Sequence, residues 1–240
     1  MKTCAICICA YDCAEFIPSL IRGIRNQYKT PGWEYEFRIG VDACAKTAAA
    51  LKKERFPYLM AEYNVGHGVL RNALIYHGRA DAYAYFDADD VMMPAYLSRN
   101  LSVLKNNNIV MAAKYNVDVN LKIRNGPIVQ NGGAMTIPHR VIEYLGGFAH
   151  YRCAIDTDLM DRAKMAGFKI FPIKEGLYYR RAHAKSLTRA PKTGMRSDYR
   201  KQSWAAMTAV RKLGVIKIKP ALVALCEIDL DSNHMIEHAR

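Results

Sequence analysis

The chain has 240 residues, 51% hydrophobic and 24% charged, which excludes a disordered or collagen-like polymer and suits one sizeable globular domain. No apolar run approaches the roughly 20 residues of a membrane-spanning helix, and the apolar start meets Asp12 and Glu15 too soon for a signal peptide. The formal charge is +13 and unevenly spread: residues 1–160 hold 18 basic and 15 acidic groups, residues 161–219 hold 16 and 3, and residues 220–240 hold 1 and 4. An excess confined to one late segment points to an anionic partner there, with a solvated basic surface as the plainer alternative.

In chain order, residues 3–10 read as a buried strand and 15–27 as an amphipathic helix with Phe16, Leu20, Ile21 and Ile24 inward. Strands at 35–41, 58–63 and 82–86 alternate with helices at 45–54 and 68–77. This rhythm predicts an α/β fold, a mostly parallel Rossmann-like sheet covered by helices, with ligands beyond the carboxyl ends of the strands. After Pro94 the pattern gives a helix at 95–105, a strand at 109–113 and a turn-rich stretch holding Asn125, Gly126, Pro127, Gly132 and Gly133. Helices near 138–145 and 157–166, strands at 168–173 and 176–181, a basic loop at 184–197 and a helix at 198–213 complete it. The basic-apolar stretch from Lys217 to Leu225 is a weak candidate for membrane contact. Of the seven cysteines, Cys4 and Cys7 make a C-x-x-C, but strand alternation turns Cys4 away from Cys7 and Cys9 and no second ligand pair follows. They read as buried core thiols in a reducing cytoplasm.

The strongest local chemistry is Asp87-Ala88-Asp89-Asp90, directly after an apolar strand. Three carboxylates there cannot all be buried unpaired; they need a cation or arginines. Asp87 and Asp89, two residues apart, can share one divalent ion, and hard oxygen ligands suit magnesium or manganese. A solvated acidic turn is the alternative reading.

Upstream, Asn64-Val65-Gly66-His67-Gly68-Val69-Leu70-Arg71-Asn72 precedes that turn by one helix and one strand. Together they resemble the inverting family 2 glycosyltransferases of the GT-A fold, whose members show N-x-G-x-x-x-A-R-N and then an apolar strand ending in D-x-D-D. Leu70 stands where the family usually has Ala. The resemblance runs to about residue 190. Ala10-Tyr11-Asp12 is similar to the family's turn at the nucleotide. Asp42 matches the aspartate that reads the uracil edge, although Asp42-Ala43-Cys44-Ala45 replaces the usual Asp-Asp-Gly-Ser. Asn131-Gly132-Gly133-Ala134 resembles the glycine-rich turn beside the sugar. Gly146-Gly147-Phe148 with Asp156-Thr157-Asp158-Leu159 resembles G-G-F…E-D-x-D-L, with Ile155 in place of the glutamate. The stretch Tyr179 to Thr188 resembles Y-R-x-H-x-x-S-x-T.

The resemblance implies a metal-dependent inverting transferase, moving a sugar from a nucleotide-diphosphate donor, a UDP-sugar, to an acceptor hydroxyl. Asp156 is then the catalytic base, and Asp89 and His183 hold Mn2+ or Mg2+. Ala10, Tyr11, Asp12, Asp42, Asn64, Gly66, Arg71, Asp87, Ala88 and Gly133 surround the donor. Arg71 reads equally as a structural ion pair, and Asp158 as a charge at a helix N-terminus. It implies a GT-A domain over 1–190 (nucleotide half 1–93, acceptor half 94–190) followed by a basic helical extension, 191–240. Lys185, Arg189, Lys192, Arg196, Arg200 and Lys201, interleaved with Tyr199 and Trp204, suit a phosphate backbone with stackable bases. Hydroxymethylated pyrimidines in DNA are therefore the favoured acceptor. The alternatives are an envelope glycan (lipopolysaccharide or capsule) or phosphorylated lipid at the inner membrane face, and a catalytically idle nucleic-acid-binding module, which the intact acidic residues disfavour.

Overall fold

The computed structural model describes residues 1–129, 133–228 and 235–237. Its elements, in chain order, begin β1 Lys2–Ala10, α1 Ile17–Arg25, β2 Trp33–Val41, α2 Ala45–Lys53, β3 Tyr58–Ala61, α3 His67–Tyr76 and β4 Ala82–Asp87. They continue β5 Val91–Met92, α4 Tyr96–Ser102, β6 Asn108–Val117, β7 Ile123–Ile128, β8 Met135–Pro138, α5 His139–Leu145 and α6 Ile155–Met165. Then come β9 Lys169–Arg181, α7 Asp198–Lys212, β10 Leu225–Ile228 and β11 Met235–Glu237. One mixed sheet carries the strands in the order β11-β10-β3-β2-β1-β4-β8-β6-β9-β5, with β7 paired to β6. The run β3-β2-β1-β4 is parallel, as is β6–β9; β8, β5 and β10 pair antiparallel.

The central strand β1 is buried on both faces, which is why it reads as an unbroken apolar run. Cys4, Ile6 and Ile8 enter one core with Ile17, Leu20, Leu51, Leu97 and Phe86. Ala5 and Cys7 enter the other with Leu70, Leu74, Val141, Leu145 and Leu159. Each fully buried Leu or Ile contributes about 1.5–3 kcal/mol relative to exposure, so the two layers fix the sheet before any polar group is counted. All seven thiols are free, and Cys4 and Cys7 face different cores.

Four local expectations change. The strands expected at 168–173 and 176–181 are one strand, β9, whose register against β6 shifts around Ala112–Lys114 and absorbs the Glu175-Gly176 interruption. The turn-rich stretch contains β7, while Asn131 and Gly132 lie outside the described residues. The described part of residues 191–240 supplies one long helix, α7, and then two strands, β10 antiparallel to β3 and β11 outside it at the sheet edge. The Lys217–Leu225 stretch lies on the protein itself: the Ile218 amide donates to the Leu145 carbonyl at 3.0 Å, and Ile216, Ile218 and Val223 pack against the second core. Among the described residues no helix is long and apolar enough to cross a membrane.

The order 3-2-1-4 makes the gap between β1 and β4 a switch point, where one chain connection runs left and the next right. Crevices at such points bind ligands. Cys9 pairs with Asp87 there, so the acidic turn leaves the sheet beside the end of β1.

Candidate active site

A cavity of about 1090 Å³ opens at the carboxyl ends of β1–β4. That volume is at the upper end of the roughly 300–1,000 Å³ of small-molecule sites. Ala10, Tyr11, Asp12, Asp42, Asn64 and Gly66 line its β1–β3 side, and Arg71, Asp87, Ala88, Asp89, Gly133, Asp156 and His183 also line it. The sequence-derived donor, metal and base candidates therefore converge on one space.

Asp42, at the end of β2, accepts hydrogen bonds from the Val65 and Gly66 amides at 2.7 and 2.9 Å. Burial pushes its carboxyl up while those amides pull it back. The carboxylate thereby fixes the turn that enters α3. Asp12, at φ +46°, is exposed and meets the Lys185 ammonium at 3.3 Å.

Asp87, Asp89 and Asp90 each offer a carboxylate oxygen within 4.8 Å of the others. Asp90 is buried and accepts the Arg181 amide at 2.9 Å; burial, then Asp89 and Asp87, push its carboxyl upward. Asp89 Oδ2 lies 2.7 Å from His183 Nε2, and the His183 ring packs on Phe16 at 4.8 Å. The three carboxylates are hard oxygen donors that fit a magnesium or manganese ion, while His183 meets Asp89 alone and stands outside that mutually close set.

Arg71, projecting from α3, is almost fully buried and bridges the two acidic groups of the site. Its Nη2 donates to Asp87 Oδ1 at 2.9 Å and its Nη1 to Asp156 Oδ1, and the guanidinium lies over Tyr85 and Phe148 at 5.6 and 5.3 Å. The ion-pair reading of Arg71 is thus realised inside the cavity wall. Asp156 is the second residue of α6, which starts at Ile155 directly after Ala154, whose left-handed φ of +62° turns the chain into the helix. Burial would raise its carboxyl, but the Arg71 charge outweighs it and holds Asp156 below its usual value. The Gly133 amide donates to Asp156 Oδ2 at 3.3 Å. At φ +83° a Cβ on Gly133 would stand 3.0 Å from Asp87 Oδ2, so only glycine threads between the two carboxylates. Asp158 is no second base: it is buried between Arg162 at 2.7 Å and Arg211 at 2.8 Å, tying α6 to α7.

Of the basic candidates, Lys185, Arg189, Arg200 and Lys201 line the cavity; Lys192 and Arg196 are exposed and stand off its lining. Sequence reasoning missed His67, Lys114, Arg152 and Arg180, which all line it. His67 sat inside the quoted Asn64–Asn72 segment. Burial, then Arg71, drive its imidazole down to about 4, so it is neutral at pH 7. Lys114 stood out only as a single cation ending an apolar strand; burial, then Arg180, lower its ammonium to about 8.

The sequence profile of glycosyl transferase family 2 matches residues 5–160, about two thirds of the chain and the whole span from β1 to the start of α6. The chain belongs to glycosyl transferase family 2. No curated protein sequence matches it. Among solved structures, S. aureus TarS 1–349 in complex with UDP-GlcNAc superposes with a TM-score of 0.64 at 15% identity, covering 78% of this chain and 60% of TarS 1–349. The mannosyltransferase PcManGT from Pyrobaculum calidifontis, in complex with GDP-Man and Mn2+, superposes with a TM-score of 0.60 at 14% identity, covering 89% of this chain and 62% of its own. This family 2 chain therefore has the GT-A fold and spans about three fifths of the length of these structures.

Proposed function

We propose that this chain transfers a sugar, with inversion, from a UDP-sugar to a hydroxyl of an anionic acceptor. The observation that carries the reading is the confrontation of Asp156 with the Asp87–Asp90 cluster across Arg71, within one cavity. Tyr11, Asp12, Asp42 and Asn64 form the crevice that receives the nucleoside. Asp89 and His183, with Asp87 and Asp90 beside them, would hold the divalent ion. When bound, that ion supplies positive charge to the diphosphate oxygens and so lowers the cost of nucleotide departure. Asp156, kept ionised by Arg71, accepts the proton of the attacking hydroxyl, which approaches the anomeric carbon opposite the leaving group. One displacement inverts the centre. The Gly133 amide holds that carboxylate in place without neutralising it.

The acceptor we favour is DNA carrying hydroxymethylated pyrimidines. Arg189, Arg200 and Lys201 stand around the cavity with Trp204, which is 46% exposed, and Tyr199 adjoins them. Cations beside exposed aromatic faces suit a phosphate backbone and an extruded base. The test is a donor and acceptor screen by mass spectrometry with and without manganese. It includes UDP-sugars and GDP-mannose as donors, and hydroxymethylcytosine DNA and a phosphorylated glycan as acceptors. Asp156→Asn is expected to slow transfer on the order of 10²–10⁴-fold while UDP binding persists. Asp89→Ala is expected to abolish the manganese response. Wild-type turnover in either variant removes the mechanism, and sugar delivered only to the glycan removes the DNA reading.

A further inference from the structure

The strand order divides the cavity. The nucleoside crevice lies at β1–β3, and the acidic turn leaves β4; β6 and β9 lie on the far side of β4, separated from it by β8. Lys114 projects from β6 and Arg180 from β9. In the parallel register Lys114 pairs with Tyr178 and Asn116 with Arg180, so the two cations share one face, one residue pair apart. Like charges so placed on neighbouring strands repel. Lys114 is 3% exposed, lines the cavity, and makes no hydrogen bond or ion pair among the described residues. Arg180 also lines the cavity, and among the described residues its side chain makes a single hydrogen bond, to the Thr188 hydroxyl at 3.3 Å. Burial and Arg180 disfavour the charge on the Lys114 ammonium, while Asp90, Asp87 and Asp156 favour it without a direct bond, and an anion entering the cavity would give it a direct partner. Other cations of this region are engaged: the Arg181 guanidinium with the Asp89 carbonyl and the Ser19 hydroxyl, and Arg162 with Asp158.

We infer that Lys114 and Arg180 form a subsite for one phosphodiester group of the acceptor, beside the hydroxyl that receives the sugar. The inference rests on the DNA reading above and deepens it. In an anti pyrimidine nucleotide the C5–C6 edge faces the 5′ phosphate, so a hydroxymethyl on C5 and that phosphate point the same way. A pocket that presents Asp156 to the first and two cations to the second would grip both. The nucleoside crevice lies at β1–β3, across β4 from both cations, with the acidic turn between; the pair is therefore assigned to the acceptor phosphate, and titration with UDP separates that assignment from a role at the donor diphosphate. As a residue that touches the acceptor, Lys114 sets where the nucleotide stops; it takes no part in the proton transfer.

The test compares Lys114→Met, Arg180→Met and the charge-keeping Lys114→Arg with the wild type, each first shown to be folded by its thermal transition. A hydroxymethylcytosine oligodeoxynucleotide and a peptide nucleic acid of the same sequence, which lacks phosphates, are titrated by fluorescence anisotropy at several salt concentrations. UDP with manganese is titrated by calorimetry. The expected result is a loss of oligodeoxynucleotide affinity on the order of tenfold in each methionine variant. Lys114→Arg should retain most of the affinity, peptide nucleic acid binding should not respond to the substitutions, and UDP affinity should stay within about twofold. Loss of UDP affinity in Lys114→Met would overturn the inference, since the ammonium would then serve the donor. Unchanged DNA binding in both methionine variants, or no wild-type DNA binding at low salt, overturns it as well. Because binding is read without turnover, these outcomes stay separate from the Asp156→Asn and Asp89→Ala results that decide the reaction.

Discussion

Replacing Arg71 by Met keeps a side chain of similar length against Tyr85 and Phe148 and removes the charge together with its hydrogen bonds to Asp87 and Asp156. The guanidinium it deletes is 5% exposed and serves Asp156, whose side chain is 20% exposed, and Asp87, whose side chain is 38% exposed. Breaking a buried pair by removing one partner costs about 3–5 kcal/mol. Solvent screens the Asp87 half, so the lower end applies, about 3 kcal/mol. For a domain of this size that is a fall in Tm of roughly 6–12 °C. The pH dependence gives a sharper test. In the wild type Asp156 titrates below its unfolded value, so its contribution is present above the unfolded pKa and is lost as pH falls through the folded one. Without Arg71, burial dominates and lifts the folded pKa above the unfolded value. Asp156 then destabilises at neutral pH, and that penalty relaxes as pH falls through the raised value. The gap between the two proteins should therefore be widest near pH 7.5 and at least halve by about pH 4.5. Thermal unfolding by circular dichroism, with chelator present, measures it. A gap below about 1 kcal/mol at pH 7.5, or one that widens on acidification, would refute the pairing.

Two further substitutions probe how the site is held. Gly68→Ala places a Cβ 2.6 Å from the Ala149 carbonyl oxygen, a backbone atom of the loop that leads to Asp156. It should cost about 1–3 kcal/mol and lower turnover by displacing α6; an unaltered melting curve would show that the loop yields freely. Arg162→Met removes a guanidinium bonded to Asp158 at 2.7 Å and to the Leu145 and Gly147 carbonyls at 3.0 and 2.8 Å. Orphaning buried partners predicts a loss of about 3–5 kcal/mol in urea unfolding, and a loss under about 1 kcal/mol would contradict the network.

The nucleotide-side half of the fold was legible because its signals are local. Alternation of short apolar runs and helical periods placed β1 to β4 within a few residues, and the Asn64–Asn72 and Asp87–Asp90 segments lie on adjoining elements. What escaped depends on distant partners. β10 is four residues with a glutamate inside, and its place in the main sheet comes from pairing with β3, more than 160 residues earlier in the sequence. β9 looked like two strands because Glu175-Gly176 imitates a turn, whereas β6 takes up the extra residues by shifting register. Lys114 carried a faint signal, one cation at the end of Asn108-Ile109-Val110-Met111-Ala112-Ala113. Its meaning needs Arg180 on a neighbouring strand, and no window of sequence contains both.

The basic excess of residues 161–219 changes its meaning once each cation is followed to its contacts. Arg162, Arg181 and Arg211 are consumed in buried pairs or hydrogen bonds that fasten α6, β9 and α7, and Lys185 is shared between Asp12 and Glu15 across the cavity mouth. A count of charges therefore overstates what is free to meet a partner. What remains is sorted in space. Asp42, Asp87, Asp89, Asp90 and Asp156 come from the ends of β2 and β4 and the start of α6; Lys114, Arg180, Arg189, Arg200 and Lys201 come from β6, β9 and the segment beyond it. Both sets line the same cavity. Such a gradient favours a cation at its acidic end and an anion at its basic end. A donor diphosphate neutralised at the acidic turn and an acceptor phosphate at Lys114 and Arg180 would satisfy both ends at once, with Asp156 between them where the hydroxyl must lose its proton.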